Sequence, residues 1–214
     1  MAAAIEFKLF APNNKAAILL GSFSQWEEIA LEKDERDYFR TQIQLADGIY
    51  QYKFRVESQS PCFQPDEWVE VNHPYATELD RTTHTSVVRI KAGARIIDTY
   101  VWKHDDTKLP ENQELVIYEL HVADFVGADG GDKISKFQQV IEKLDYLGDL
   151  GINAIELMPV NEYPGDYSWG YQVRDFFAVE SSYGTTADLK QLIDECHARG
   201  IRVIIKKWVE TPSF

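Results

Sequence analysis

The chain has 214 residues, with 22 Lys and Arg against 35 Asp and Glu, and a formal net charge of −13. This acidic balance disfavours nucleic acid and anionic lipid as main partners, because both require clustered positive charge. Hydrophobic residues make up 44% of the chain, mean hydropathy is −0.35 and 13% of residues are aromatic. These values are typical of a globular chain with a sizeable core, and they are compatible with binding of an uncharged ligand.

No apolar run approaches the roughly 18 residues of a membrane span, so we expect no membrane insertion. The start of the chain, Met1 to Glu6, has no basic stretch before an apolar one, which argues against a secretory signal and favours a cytoplasmic location. The two cysteines, Cys62 and Cys196, are far apart and show no metal-binding spacing. We therefore predict no metal site and no cofactor.

The first half of the sequence alternates apolar and polar residues in short segments that are separated by turns. Asp47-Gly48 is a strong hairpin signal between two of these segments. Short strands at this spacing predict an antiparallel β-sandwich. The predicted strands cover residues 5–10, 16–20, 39–45, 49–56 and 85–90.

The pattern changes after about residue 95, where strand-like and helix-like segments begin to alternate. Strands are predicted at 115–120, 152–158 and 201–205. An apolar stripe from Ile134 to Leu147 predicts one helix. A second helix is predicted to open at Thr185-Thr186 and to close at Gly200. This order is typical of parallel βαβ units.

Four stretches of the first half resemble the β-sandwich module that precedes the catalytic barrel in isoamylases and glucan branching enzymes. The resemblance implies an immunoglobulin-like, carbohydrate-binding type of domain over residues 1–95, followed by a linker over 96–113. The matching stretches are Phe10-Ala11-Pro12, Gly21 to Trp26, Gly48 to Phe54 and Val71 to Ala76.

The second half resembles the start of the (β/α)₈ barrel of the α-amylase superfamily. The stretches that carry this resemblance are Val116 to Val122, Gly151 to Val160, Trp169-Gly170-Tyr171, Tyr183-Gly184-Thr185 and His197 to Ile205. A complete barrel needs eight strands and about 250 residues. Residues 114–214 have room for about three βα units, so the predicted fold is a β-sandwich followed by an incomplete α/β barrel.

The resemblance implies that the parent protein is a retaining glycoside hydrolase or transglycosidase acting on α-1,4 or α-1,6 glucan links. Its nucleophilic Asp, acid/base Glu and second Asp follow the fourth, fifth and seventh strands, beyond the sequence given. No residue here is therefore assigned a catalytic role, and we expect this chain to be inactive. Two alternatives remain open, a non-catalytic protein that binds glycogen, starch or maltooligosaccharides, and a non-functional product.

The sequence departs from the family pattern after Ile205. The family has Asp, Asn and His where this chain has Lys206, Glu210 and Thr211. Adjacent lysines without partners are unfavourable beside a buried strand. This predicts that residues 206–214 are an aberrant, out-of-frame tail.

The resemblance also marks candidate ligand residues. Tyr171 matches a tyrosine that stacks on a sugar ring, Trp169 accompanies it, and His121 lies at the end of the first barrel strand. For His121, a structural histidine is the favoured interpretation. Asp175 is interpreted as structural, and Asn161 and Glu162 as parts of a solvated loop. In the sandwich, Trp26 and Trp68 are the best candidates for a glucan-binding platform, which could include Tyr50 and Tyr52, although some of that strand face must be core.

Overall fold

The computed structural model describes residues 2–58, 63–64, 67–96, 99–127, 135–165 and 167–207. The chain divides into two compact units, unit 1 (residues 1–99) and unit 2 (residues 100–214). Cys62, Ile134 and residues 208–214 of the predicted tail lie outside the described residues. The finer domain boundaries given above stay predictions.

Unit 1 consists of two antiparallel sheets, and all five predicted strands of this half are present. One sheet has the order β1-β5-β4, and the other has the order β3-β2-β6-β8-β9, with β7 also paired to β6. The strands are β1 (Ala3–Phe10), β2 (Ala17–Gly21), β3 (Ile29–Ala30), β4 (Glu32–Lys33), β5 (Tyr38–Leu45), β6 (Gly48–Glu57), β7 (Trp68–Val71), β8 (Ser86–Lys91) and β9 (Ala94–Arg95).

The core of unit 1 is built from alternate residues of both sheets. Phe7 and Phe39 of the first sheet and Leu19 and Phe54 of the second belong to one buried apolar cluster. Since successive side chains of a strand point to opposite faces, the observed alternation buries one face of each sheet against the other. Tyr52 is also buried in this cluster, so the interpretation of its ring as part of a binding platform is wrong.

Unit 2 contains a parallel sheet with the order β10-β11-β14, as the βαβ pattern predicts. Its three strands are in register, so that Glu119 lies beside Glu156 and Leu120 lies beside Leu157. An antiparallel pair, β12 and β13, extends from the segment that follows β11. The elements of this unit are β10 (Ile117–Leu120), α1 (Val122–Val126), α2 (Lys136–Ile141), α3 (Leu144–Asp149), β11 (Ala154–Leu157), β12 (Asn161–Glu162), β13 (Asp175–Val179), α4 (Thr186–Ala198) and β14 (Arg202–Ile205).

Helices cover one face of the parallel sheet and form the core with it. Leu120, Ile155 and Leu157 of the strands pack with helix residues such as Phe137 and Leu192. Helix α4 begins and ends where the sequence predicts, because Thr185 and Asp188 form a reciprocal capping box. Gly200 follows the helix with φ +70°, the left-handed conformation that favours glycine.

The single helix predicted across the apolar stripe is in fact two short helices. Lys143 leaves the helical conformation, with φ −103° and ψ 1°, and separates α2 from α3. The side chains of Phe137, Val140, Leu144 and Leu147 are nevertheless fully buried. The spacing of the apolar residues therefore predicted the buried face correctly, whereas the prediction of one continuous helix was wrong. Among the described residues, no helix is long and apolar enough to cross a membrane.

Candidate functional site

The carboxyl-terminal edge of the parallel sheet gathers the residues that the sequence singles out in unit 2. His121 follows β10 directly and Lys206 follows β14 directly. Because parallel strands end at the same edge, both residues lie at that edge, with β11 between their strands. The segment 167–171 also reaches this edge, since the Ser168 carbonyl oxygen lies 3.0 Å from His121 Nε2.

His121 is almost fully buried and has polar partners at both ring nitrogens. Nε2 lies 3.0 Å from the Ser168 carbonyl oxygen and 2.9 Å from the hydroxyl of Tyr183. A carbonyl cannot donate, so Nε2 carries a proton. Nδ1 accepts a hydrogen bond from the Asp124 backbone amide at 3.3 Å, and a carboxylate oxygen of Asp124 lies 3.0 Å from it. The geometry is that of a ring held in place by the fold, and His121 also caps the first turn of α1.

A buried polar cluster lies behind His121. Tyr183 and Tyr163 are both buried, and their rings lie 6.2 Å apart in an edge-to-face arrangement. Burial, together with the hydrogen bond to Tyr163, raises the pKa of the Tyr183 hydroxyl far above its ordinary value. Tyr183 is therefore a neutral hydrogen-bonding group that supports His121, and it has no access to a ligand.

Trp169 and Tyr167 form the exposed part of the site. Their side chains are 58% and 60% exposed, although both are large and aromatic. The Trp169 indole donates a hydrogen bond to the Tyr167 hydroxyl at 3.2 Å. That hydroxyl lies 3.1 Å from each carboxylate oxygen of Asp124. The Tyr167 ring also packs edge-to-face on His121 at 5.7 Å.

Gly170, between Trp169 and Tyr171, is required by two features of the backbone. Its φ is +82°, and a Cβ atom there would lie 2.5 Å from the carbonyl oxygen of Pro159. A side chain is thus excluded by both conformation and space. Gly170 packs closely against Pro159, which follows β11, and this contact fixes the backbone positions of Trp169 and Tyr171 on either side of it.

Lys206 has acidic partners, so the premise that it is an unpaired cation is wrong, whereas the aberrant tail over 206–214 stays a prediction. Its ammonium group lies 2.8 Å from a carboxylate oxygen of Glu119 and 3.5 Å from one of Glu156. The Lys206 amide continues the sheet by donating to the Leu157 carbonyl. The hydrogen bond to Glu119 raises the pKa of Lys206, and the charges of Glu119 and Glu156 add to the effect. Glu119 and Glu156 are neighbours in register, so the lysine offsets their repulsion.

Glu162 is not in a solvated loop, so that prediction was wrong. It is fully buried in β12, where it accepts hydrogen bonds from the Ser181 amide at 2.9 Å and from Arg174 at 3.1 Å. Burial raises its pKa, and the charge of Glu180 adds to the effect. Arg174 also pairs with Asp175 at 2.8 Å, in agreement with the structural interpretation of Asp175. This cluster supports the loop that carries Trp169 and is not open to a ligand.

Trp26 and Trp68 of unit 1 are each 41% exposed, but they are joined to different positions on opposite sides of β6. The Trp26 amide donates to the carbonyl of Gly21, which pairs with Tyr52. Trp68 pairs with Glu57, five residues further along β6 and on its other side. At about 3.3 Å per residue the two positions are roughly 17 Å apart along the strand. We therefore treat them as two separate candidate contacts.

The described residues include no group of three or more His, Cys, Asp or Glu side chains that could hold a metal ion. A surface groove of about 390 Å³ lies at the opposite, amino-terminal edge of the sheet, beside Asp145, Asn153 and Arg199. It contains none of the aromatic residues that the sequence singles out. The carboxyl-terminal edge is thus the better candidate site.

Comparison with known proteins defines the class to which this arrangement is related. Residues 120–209 match the family described as alpha amylase, catalytic domain. Residues 6–74 match the glycogen recognition site of AMP-activated protein kinase. These matches confirm the resemblance to carbohydrate-active proteins of the α-amylase family, with a glycogen-recognition type of module ahead of the catalytic-domain type of sequence. The first match extends past Ile205 into the segment that departs from the expected pattern.

The similar proteins are α-glucan enzymes. The chain is 33% identical to the 1,4-alpha-glucan branching enzyme GlgB of Oceanobacillus iheyensis, over 95% of this chain and 32% of that protein. It is 30% identical to the branching enzyme GlgB of Halothermothrix orenii, over 96% of this chain and 32% of that protein. The fold is similar to that of pullulanase type I from Bacillus subtilis, with a TM-score of 0.72 at 24% identity over 96% of this chain and 32% of that one. The chain thus spans about a third of the length of these relatives.

Sequence reasoning did not single out Asp124 or Tyr167. Asp124 stands three residues after His121, and Tyr167 two residues before Trp169, so both could have been suspected from their proximity to the candidates. Their contact joins residues 43 positions apart, which no local pattern reveals.

Proposed function

We propose that this chain is the amino-terminal part of a retaining enzyme acting on α-1,4 or α-1,6 glucan, and that its own residues bind α-glucan without cleaving it. The exposed Trp169 and Tyr167 rings at the carboxyl-terminal edge of a parallel sheet carry the proposal. Aromatic faces complement the apolar faces of sugars, and this edge is where barrel active sites form. Within the proposal, unit 1 is an immunoglobulin-like sandwich and unit 2 supplies about three βα units of the barrel.

The carboxylates at this edge support binding more than cleavage. Retaining hydrolysis needs one carboxyl group as nucleophile and a second as proton donor, about 5–5.5 Å apart. Glu119 and Glu156 are neighbours, but Lys206 lies against both of them. We assign no catalytic residue to this chain.

Binding and cleavage can be separated with one pair of assays on the full chain. Calorimetric titration with maltoheptaose measures binding, and release of reducing sugar from glycogen measures hydrolysis. We expect binding to be lost in Trp169→Ala and kept in Tyr146→Ala, which removes an exposed ring from α3. Absence of binding by the unaltered chain would overturn the proposal, and release of reducing sugar would overturn its non-catalytic part.

A second candidate is glycogen binding by unit 1 through Trp26 or Trp68. The match to a glycogen recognition site over residues 6–74 and the exposure of both indoles favour it. Because the two residues are joined to different positions on opposite sides of β6, we expect Trp26→Ala and Trp68→Ala to differ in their effect on co-sedimentation with glycogen. Equal, undiminished co-sedimentation of both variants would remove this candidate. The cytoplasmic location expected from the sequence belongs to the proposal as well and is tested by cell fractionation.

A further inference from the structure

A hydrogen-bonded chain of side chains links the exposed indole of Trp169 to the body of unit 2. It begins at Trp169 Nε1, which donates to the Tyr167 hydroxyl at 3.2 Å. The hydroxyl donates to Asp124, whose two carboxylate oxygens are equidistant from it at 3.1 Å. Asp124 is joined in turn to the buried His121, whose Nδ1 accepts a hydrogen bond from the Asp124 backbone amide at 3.3 Å. An exposed ring is thus connected to a fixed one through two intermediate groups.

From this chain we infer that Tyr167 and Asp124 are positioning residues, which hold the Trp169 ring in one orientation as a stacking surface for α-glucan. The inference rests on the proposed function and extends it to two residues that neither the sequence candidates nor the comparisons include. Tyr167 has a double role, because its own ring is exposed beside that of Trp169 while its hydroxyl fixes the indole.

The physical reason is the cost of ordering side chains when a ligand binds. An exposed Trp or Tyr without partners samples several rotamers, and stacking on a sugar would freeze it into one of them. Here the indole N–H is already bonded, and the Tyr167 ring already packs on His121. The conformational entropy of these side chains is therefore lost when the chain folds and does not weaken the free energy of glucan binding. This is the general basis of preorganisation.

The acceptor of the Tyr167 hydroxyl is suited to this role. A carboxylate with both oxygens at equal distance holds a hydroxyl more firmly than a neutral acceptor, because hydrogen bonds to ionised groups are the stronger ones. Asp124 is itself placed by the first turn of α1, where His121 is the capping residue. The orientation of Trp169 is thus determined by the end of β10 and not by its own loop alone.

The test measures the state of Trp169 and the affinity for glucan in the same variants. In the 214-residue chain labelled with ¹⁵N in its five Trp residues, the indole N–H signal that disappears in Trp169→Phe is that of Trp169. Tyr167→Phe keeps the ring and removes only the hydroxyl, and Tyr146→Phe is the matched control at another exposed tyrosine. Asp124→Asn keeps an acceptor oxygen, whereas Asp124→Ala removes it.

We expect Tyr167→Phe to shift the Trp169 indole signal and to weaken maltoheptaose binding about three- to tenfold, with no change in Tyr146→Phe. Asp124→Ala should act in the same direction, and Asp124→Asn should restore part of the affinity. If the unaltered chain binds maltoheptaose and Tyr167→Phe binds equally well, the inference is overturned and the proposed function stands. If the unaltered chain does not bind maltoheptaose and its Trp169 indole signal does not change at saturating sugar, the proposed function and this inference are both overturned.

Discussion

Asp194 of helix α4 accepts a hydrogen bond from the Tyr100 hydroxyl at 2.9 Å. The same carboxylate accepts bonds from the backbone amides of His104 and Lys103, and it is buried. Burial by itself raises the pKa of Asp194, but these hydrogen bonds outweigh it and the pKa lies below its ordinary value. One carboxylate thus anchors the start of unit 2, residues 100–104, to its longest described helix.

Removing this anchor should destabilise unit 2. Asp194→Ala leaves the Tyr100 hydroxyl and the Lys103 and His104 amides without this acceptor, and hydrogen bonds to a charged group contribute about 1.5–3 kcal/mol each. We expect the free energy of unfolding in urea to fall by roughly 2–3 kcal/mol. Because the folded pKa is lowered, the contribution is present above about pH 4 and is lost as the pH falls further. Asp149→Asn, at an exposed carboxylate of α3, is the control, and an equal effect there would contradict the prediction.

Gly170→Ala tests whether the backbone of the Trp169 loop is as constrained as its geometry indicates. The variant must adopt φ near +82° and must displace the Pro159 carbonyl. Gly165→Ala is the matched control, because its φ is +85° and a Cβ there meets nothing within 4 Å. Conformational strain alone costs about 1 kcal/mol. We expect the thermal midpoint to fall clearly further in Gly170→Ala, and equal midpoints would show that the close contact relaxes freely.

His73 should make the stability of unit 1 depend on pH. Its Nδ1 lies 3.0 Å from the Tyr52 hydroxyl, and burial, with further contributions from Arg95 and Lys8, lowers its pKa to about 4. Below about pH 6.5 the unfolded chain takes up a proton that the folded unit does not, so stability falls as the pH drops from 6.5 to 4. The expected loss is about 3 kcal/mol at most.

The measurement for His73 is urea unfolding of unit 1 at several pH values. His73→Asn keeps an acceptor for Tyr52 but does not titrate, so its stability should be nearly flat over this range. His197→Gln, in unit 2, should keep the slope of the unaltered chain. A slope in His73→Asn equal to that of the unaltered protein would assign the pH dependence to other groups.

Lys206 should contribute modestly through its position between Glu119 and Glu156. All three side chains are partly exposed, and exposed ion pairs contribute little. We expect Lys206→Met to lower the thermal midpoint by about 2 °C or less. The difference should shrink in 1 M NaCl, where the Debye length is about 3 Å. Lys207→Met is the control, and a fall there that matches Lys206→Met would indicate a nonspecific charge effect.

Local sequence patterns determined the class of each unit, because each pattern arises within a few residues. Alternating residues such as Ile5, Phe7 and Leu9 predict a half-buried strand, and all three are core residues. The capping residues of α4 likewise act on neighbours three positions away, so Thr185 and Gly200 mark its ends correctly. The parallel order of three strands follows from their alternation with helices.

The tertiary structure alone decided which polar residues are buried, paired or exposed. From the sequence, Glu162 is predicted to be a loop residue, whereas in the folded chain it accepts hydrogen bonds from Arg174 and the Ser181 amide. From the sequence, Lys206 is predicted to be an unpaired cation, whereas in the folded chain it donates to Glu119, which is 87 positions earlier. Trp169 acquires its orientation from Asp124 only through folding. The strength of a hydrogen bond or ion pair depends on distance in space and on burial, whereas a sequence pattern records only spacing along the chain.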